Sequence, residues 1–242
     1  MKLGDRLLAR GTSGADVVEL QMRLAGFSGT VWDGSFGPGT ESQVITFQKD
    51  YMGASPTGVV DSNVITFLIK FTKDFPVNFD NLRCTCGVCT GFGQGKFKGQ
   101  YDSGQPQIEA YYKYEYPGIH KAILHSFRAA WFYARKAGLG EANISCGYRC
   151  WVNNAQHNRT STNHMGKAID WIPTSNKPND VRALMVVKSN FQIGWSIKNM
   201  KALEPADIAP TWVHMDVREM GPFNDLHFVK NIEDLDSLTI KS

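Results

Sequence analysis

The sequence predicts an α+β protein, with a small three-helix bundle at the N-terminus followed by a larger domain built on an antiparallel sheet. Three observations predict it. Residues 1–72 hold three short helical patterns separated by glycine-rich turns. Ile119 to Ala137 reads as one long amphipathic helix. Beyond it, short strand-like runs such as Ala168–Ile172 and Trp212–Val217 mix with helical stretches. The expected boundaries are 1–72 for the bundle, 73–90 for a connector, and 91–242 for the second domain.

In the bundle, Val17, Leu20 and Leu24 recur at helical spacing, with Gly14 and Asp16 as entry signals. Gly26 to Gly39 is a turn region that includes Asp33-Gly34 and Gly37-Pro38-Gly39; glycine permits the tight backbone and Asp33 can bond its own chain there. A second helix carries Val44, Phe47 and Gln48, and a third runs over Ser62–Lys70 with Val64, Phe67 and Leu68. Leu20, Phe36, Phe47 and Phe67 are the expected core. Trp32 is a stacking platform if exposed and a core residue otherwise. In the long helix Ile119, Ile123, Phe127, Ala130, Trp131 and Ala134 share a face, and Gly138 and Gly140 stop it. Gly91 to Gln107 reads as loop.

The chain has 242 residues, 42% hydrophobic and 20% charged, enough apolar material for a buried core. No run approaches the length of a membrane span, so no stable membrane association is expected. Met1 to Gly14 lacks the apolar stretch of a secretory signal. Net charge is +3, a mild bias that fits an anionic polymer surface. No basic run is interleaved with aromatics, which argues against nucleic acid as partner.

Val17-Val18-Glu19-Leu20-Gln21-Met22-Arg23-Leu24, Asp33-Gly34-Ser35-Phe36-Gly37-Pro38-Gly39-Thr40, Val44-Ile45-Thr46-Phe47-Gln48 and Thr57-Gly58-Val59-Val60-Asp61 follow in order. Together they resemble the peptidoglycan-binding domain of cell-wall hydrolases. The resemblance covers nearly the whole of 1–72 and implies bacterial peptidoglycan as partner.

In the second domain, Ala168-Ile169-Asp170-Trp171-Ile172 is apolar apart from one acid. On a strand this places Asp170 in a dry setting, where a carboxylate needs a partner or a metal. Trp212, His214 and Asp216 alternate with Val213, Met215 and Val217, so on a strand His214 and Asp216 share a side. His164 sits on a loop shaped by Gly166. Two imidazoles and a carboxylate make a three-ligand set suited to catalytic Zn²⁺, with a fourth position for water.

Ser161-Thr162-Asn163-His164-Met165-Gly166-Lys167-Ala168-Ile169-Asp170 and Trp212-Val213-His214 resemble the zinc peptidase family of D-Ala-D-Ala carboxypeptidases, vancomycin-resistance dipeptidases and phage L-Ala-D-Glu endopeptidases, which shares a fold with hedgehog signalling domains. The resemblance implies a hedgehog-like fold, zinc on His164, Asp170 and His214, and a substrate-steadying Arg149. Tyr148, beside Arg149, and Ser161 are the expected substrate contacts. Five residues separate His164 from Asp170 where the family usually has six, and Thr211 stands where many members carry an acid. The general base therefore comes from elsewhere: Asp216 is the first choice, with Glu204 and Asp207 as rivals.

Cys84, Cys86, Cys89, Cys146 and Cys150 are an odd set in a chain too large for a disulfide scaffold. Free thiols in a folded connector are the expected state. The alternative is a metal on Cys84, Cys86 and Cys89, with a fourth ligand from Cys146, Cys150 or a histidine. Cys146 and Cys150 could also bridge in an oxidising space. His120 and His125 read as structural, and His157 could line the cleft.

These readings converge on a monomeric phage endolysin, or a close bacterial relative, that accumulates in the host cytoplasm and then cuts the stem peptide or cross-bridge of the wall. Alternatives are a D,D- or L,D-carboxypeptidase, and a wall-binding protein whose zinc is only structural.

Overall fold

The computed structural model describes residues 2–28, 32–95, 115–159, 163–194, 201–217 and 224–240. The N-terminal unit contains α1 (Ala15–Arg23), α2 (Pro38–Asp50) and α3 (Ser62–Asp74). Pro38 opens α2, where its missing N–H costs nothing, and the Asp61 carboxylate caps α3 by accepting the Val64 N–H at 2.9 Å.

Two glutamines of the motif hold the turns between these helices. The Gln21 side-chain amide donates to Asp33 Oδ1 and Thr40 Oγ1, both at 2.9 Å, and its carbonyl accepts the Gly34 N–H at 3.0 Å. Gln48 accepts the N–H groups of Thr57 and Gly58 and donates to Thr57 Oγ1 and the Val59 carbonyl. Buried loop backbone must find partners, and these side chains supply them. Asp33 also accepts the Ser35 N–H at 2.9 Å, the local bond expected of it.

Leu20, Phe36 and Phe47 are core residues, joined by Phe27 and Phe71; the rings of Phe27 and Phe47 meet edge-on at 5.2 Å. Phe67 is only half-buried, because the inward stripe of α3 runs through Val64, Leu68 and Phe71 and leaves Phe67 at its edge. Trp32 is buried against the His120 ring, 4.5 Å between centroids, so it serves packing and not exposed stacking.

The long helix, α4, spans Lys121–Lys136. It begins later than the sequence pattern suggests, because Ile119–His120 forms a short strand, β1, and His120 caps the helix through Nδ1. The N-terminal unit docks on α4 closely: a Cβ added at Gly26 would sit 2.3 Å from Ala129 Cβ. Glu19 accepts from Arg23 and from Lys121, each at 2.8 Å, and all three side chains are almost fully buried. Arg23 continues to the carbonyls of Leu235 and Ser237 near the C-terminus.

The main sheet contains β2 (Ala142–Cys146), β3 (Ala168–Pro173), β4 (Gln192–Ile193), β5 (Ala202–Leu203) and β6 (Val213–Asp216), in spatial order β2-β3-β6-β5-β4. The pairs β2–β3, β3–β6 and β5–β6 are antiparallel, but β4 and β5 run parallel, so the sheet is mixed and not antiparallel throughout. Phe127 of α4 packs edge-on against Trp171 of β3 at 5.7 Å, and α6 (Pro178–Ser189) adds Val181 and Met185 to the same core. Here α5 denotes the short helix Trp151–Gln156. β1 pairs with β7 (Phe228–Val229), which leads into α7 (Ile232–Asp236). Val77, Phe79 and Leu82, in the stretch that reads as a connector, are buried in this core too. Among the described residues no helix is long and apolar enough to cross a membrane.

Removing the charge of Glu19 leaves two buried cations without a counter-charge. Glu19→Gln is expected to lower unfolding stability by about 3–5 kcal/mol, read from urea denaturation.

Candidate metal centre and cleft

Register places the centre. Cys146 of β2 lies opposite Asp170 of β3, and Asp170 lies opposite His214 of β6, so three adjacent strands bring these side chains into one row. His164 arrives from the turn before β3. That turn is closed by the Lys167 N–H donating to Asn163 O, and it is tied to the loop after β2 by the Arg149 N–H donating to His164 O. Gly166 has φ +118°, and a Cβ there would meet the Gly118 carbonyl at 2.6 Å, so only glycine fits.

His164 Nε2, His214 Nδ1 and Asp170 Oδ1 form a triangle with sides of 3.3, 2.7 and 3.2 Å. The outer nitrogens are engaged elsewhere: His164 Nδ1 lies 2.7 Å from the Gly147 carbonyl, and His214 Nε2 lies 3.1 Å from Asp216 Oδ2. A neutral imidazole whose outer N–H donates to such an acceptor turns its lone pair inward. Both lone pairs and one carboxylate oxygen then face a single point. Ligands about 2.0–2.1 Å from a tetrahedral zinc stand about 3.3 Å apart, so this donor set fits that ion.

The electrostatics agree. Burial works to lower the pKa of His164, but the charge and hydrogen bond of Asp170, with Cys146 beside it, together lift it to about 10. His214 is raised in the same way, against its burial, by bonds to Asp170 and Asp216. Burial would raise Asp170, yet the two imidazoles hold it well below the usual carboxylate range. The centre draws positive charge, whether from protons or from a metal.

Of the three, Asp170 borders a cleft of about 680 Å³, and His164 and His214 lie buried beside it. Arg149 lines it and donates through Nη2 to Asp170 Oδ2 at 2.9 Å and through Nε to Cys146 Sγ at 3.0 Å. Glu204 and His157 also line it. Asp207 is exposed and is not part of the wall. Asp216 shares a face with His214, as alternation requires, but it is fully buried against the outer edge of that ring. The sequence offers Asp216 as first choice of general base; the structure places it behind His214, where it is positioned to orient that ring. Tyr148 borders the cleft, with its hydroxyl donating to Tyr116 O at 2.7 Å and its ring packed against Phe92. Ser161 lies outside the described residues. Sequence reasoning missed Cys146 as a neighbour of the triad; the strand register that reveals it has no local signature.

The loop bearing Glu204 is pinned by a buried guanidinium. Arg182 of α6 donates to the carbonyls of Glu204 at 2.9 Å and Trp212 at 2.6 Å, to that of Ala209, and to Asn179 Oδ1 at 2.7 Å.

Residues 13–68 match a family model described as "Putative peptidoglycan binding domain". The match is confined to the N-terminal unit. The chain is also 37% identical over 78 residues to the zinc D-Ala-D-Ala carboxypeptidase of Streptomyces albus G, a match that covers 30% of each chain and falls on the binding-domain region. This chain thus spans less than a third of that relative's length. Among solved structures it is similar to the SleB N-terminal domain, with 37% identity, 28% of this chain and 94% of that chain covered, and a TM-score of 0.27.

One ammonium does not reproduce the fork of Arg182. Arg182→Lys is expected to speed amide hydrogen exchange across residues 204–212 by at least about tenfold, given about 1.5–3 kcal/mol per lost charged hydrogen bond.

Proposed function

We propose that the protein is a zinc peptidase that hydrolyses an amide in the stem peptide or cross-bridge of peptidoglycan, with its N-terminal domain engaging the wall. The observation that carries this is the convergence of His164 Nε2, His214 Nδ1 and Asp170 Oδ1, with Asp170 on the wall of an open cleft, in a chain whose residues 13–68 match a peptidoglycan-binding domain.

His164, Asp170 and His214 would hold the ion. When bound, zinc supplies a Lewis acid and a water whose pKa is lowered to about 7. The remaining roles belong to the chain. The Gly147 carbonyl and Asp216 fix the tautomers of His164 and His214. Arg149 holds the second oxygen of Asp170 and, from the cleft wall, offers positive charge to the carbonyl oxygen of the scissile amide. Glu204, partly exposed in the same cleft, takes the proton of the attacking water and returns it to the leaving amine. No covalent intermediate on the enzyme is required. Tyr148 shapes the wall, and Ser161 contacts substrate.

No disulfide joins the five cysteines, and an odd number of them in a chain of this size fits synthesis in a reducing compartment. With the wall-binding domain, this favours a phage endolysin that stays in the host cytoplasm until lysis and acts as a monomer.

Turbidity of outer-membrane-stripped Gram-negative cells is expected to fall with the wild-type protein. Chelator or His214→Ala should abolish the fall, and zinc should restore the chelated wild type. New amino termini without new reducing sugar ends should accompany lysis, and loss of terminal D-Ala alone would identify a carboxypeptidase. Lysis that ignores chelator and His214→Ala would leave the zinc a structural role only. Glu204→Gln should lower kcat by about 10²–10⁴-fold with zinc content unchanged. Asp216→Asn should instead weaken zinc binding by about 10–100-fold, measured by competition with a chromogenic chelator.

A further inference from the structure

Four of the five cysteines play no part in the cleft chemistry, yet the fold gathers them. The sulfurs of Cys84, Cys86, Cys89 and Cys150 all lie within 4.8 Å of one another. Three come from the loop after the 3₁₀ turn Phe79–Leu82, and the fourth caps α5, more than sixty residues later in sequence. Cys86 and Cys150 are buried, and Cys84 and Cys89 are half-buried.

Every one of these sulfurs accepts a backbone N–H. Cys86 takes two, from Val88 at 3.3 Å and Cys89 at 3.2 Å. Cys89 accepts from Gly91 at 3.4 Å, Cys84 from Cys150 at 3.4 Å, and Cys150 from Asn153 at 3.5 Å. A neutral thiol is a weak acceptor, whereas an ionised sulfur uses such donors well. Gly87, at φ +73°, turns the chain between Cys86 and Cys89; nothing crowds its missing Cβ, so the glycine is there for backbone shape alone. Four thiolates this close repel one another strongly unless a cation lies between them.

We propose that Cys84, Cys86, Cys89 and Cys150 form a second, structural zinc site. Four sulfurs each about 2.3 Å from a tetrahedral ion stand about 3.8 Å apart, within the spacing found here. A cluster of several irons would spread its ligands wider, since the metals themselves occupy the centre. The site is closed, with no position for substrate. It ties the loop that places Arg83 and Thr85 in the cleft wall to the residue next to Arg149. A metal here contributes folding energy directly, because the unfolded chain has no such site. The proposal is independent of the catalytic reading.

The test is metal analysis of the full chain, purified in reducing buffer without chelator, as wild type, His214→Ala and Cys89→Ser. Two zinc ions per chain are expected in the wild type, and one in each variant. In His214→Ala an organomercurial should release that one zinc as four thiols react, while Cys146 reacts outside this set. Cobalt substitution of His214→Ala should give the intense visible absorption of a tetrahedral thiolate complex. If Cys89→Ser does not fold, the His214→Ala metal count and thiol titration still decide. A folded His214→Ala chain that holds no zinc and shows five freely titrating thiols would overturn the proposal. So would iron in place of zinc, or an intact mass lower by four hydrogens, the mark of two disulfides. A wild-type chain that holds this zinc yet lyses no cells would count against the peptidase reading alone.

Discussion

A single carboxylate in a dry place sets the terms for the cleft. Asp170 stands on β3, flanked by strands on both sides, and water is excluded from most of it. A lone anion there would be intolerable, so the surrounding structure supplies positive charge from three directions: two imidazoles on one oxygen and a guanidinium on the other. Each of those partners is in turn fixed by something behind it. His214 leans on Asp216, His164 on the Gly147 carbonyl, and Arg149 on Cys146. The result is a small electrostatic lattice whose converging donors have the charge preference and the spacing that suit a metal ion.

The N-terminal unit obeys a similar logic. Glu19 is shared by Arg23 and Lys121, and neither cation could remain buried without it. Gly26 lets the chain touch α4 at backbone distance. Lys201, fully buried, donates to the carbonyls of Ala25 and Ser189, and burial pushes its pKa down to about 7. Polar contacts of this kind are specific in direction, so the unit docks in one orientation.

Much of this was legible in the sequence because it rests on local period and on residue chemistry. Helical spacing located α1, α2 and α3, and alternation put His214 and Asp216 on one face. Gly166 announced the turn that delivers His164. What was not legible depended on where distant segments meet. Alternation says that two side chains share a face, but not that one lies behind the other, as Asp216 lies behind the His214 ring. The spacing of Cys84, Cys86 and Cys89 offered three sulfurs and no rule for choosing the fourth; the fold selects Cys150 and leaves Cys146 beside the triad. Phe67 and Trp32 were misplaced or left open for a related reason, since burial at the edge of a helical stripe is decided by the neighbouring element.

The close docking of the N-terminal unit on α4 has a consequence for a substrate that is itself a fixed, repeating mesh. A binding unit on a loose tether would let the cleft sample every bond within a sphere. Here the N-terminal unit packs directly on α4, so on the proposed function gripping the polymer would also select an angle and a distance. Such a protein would work less like an anchor with a blade on a line than like a caliper, meeting the mesh only at bonds that recur at its own span.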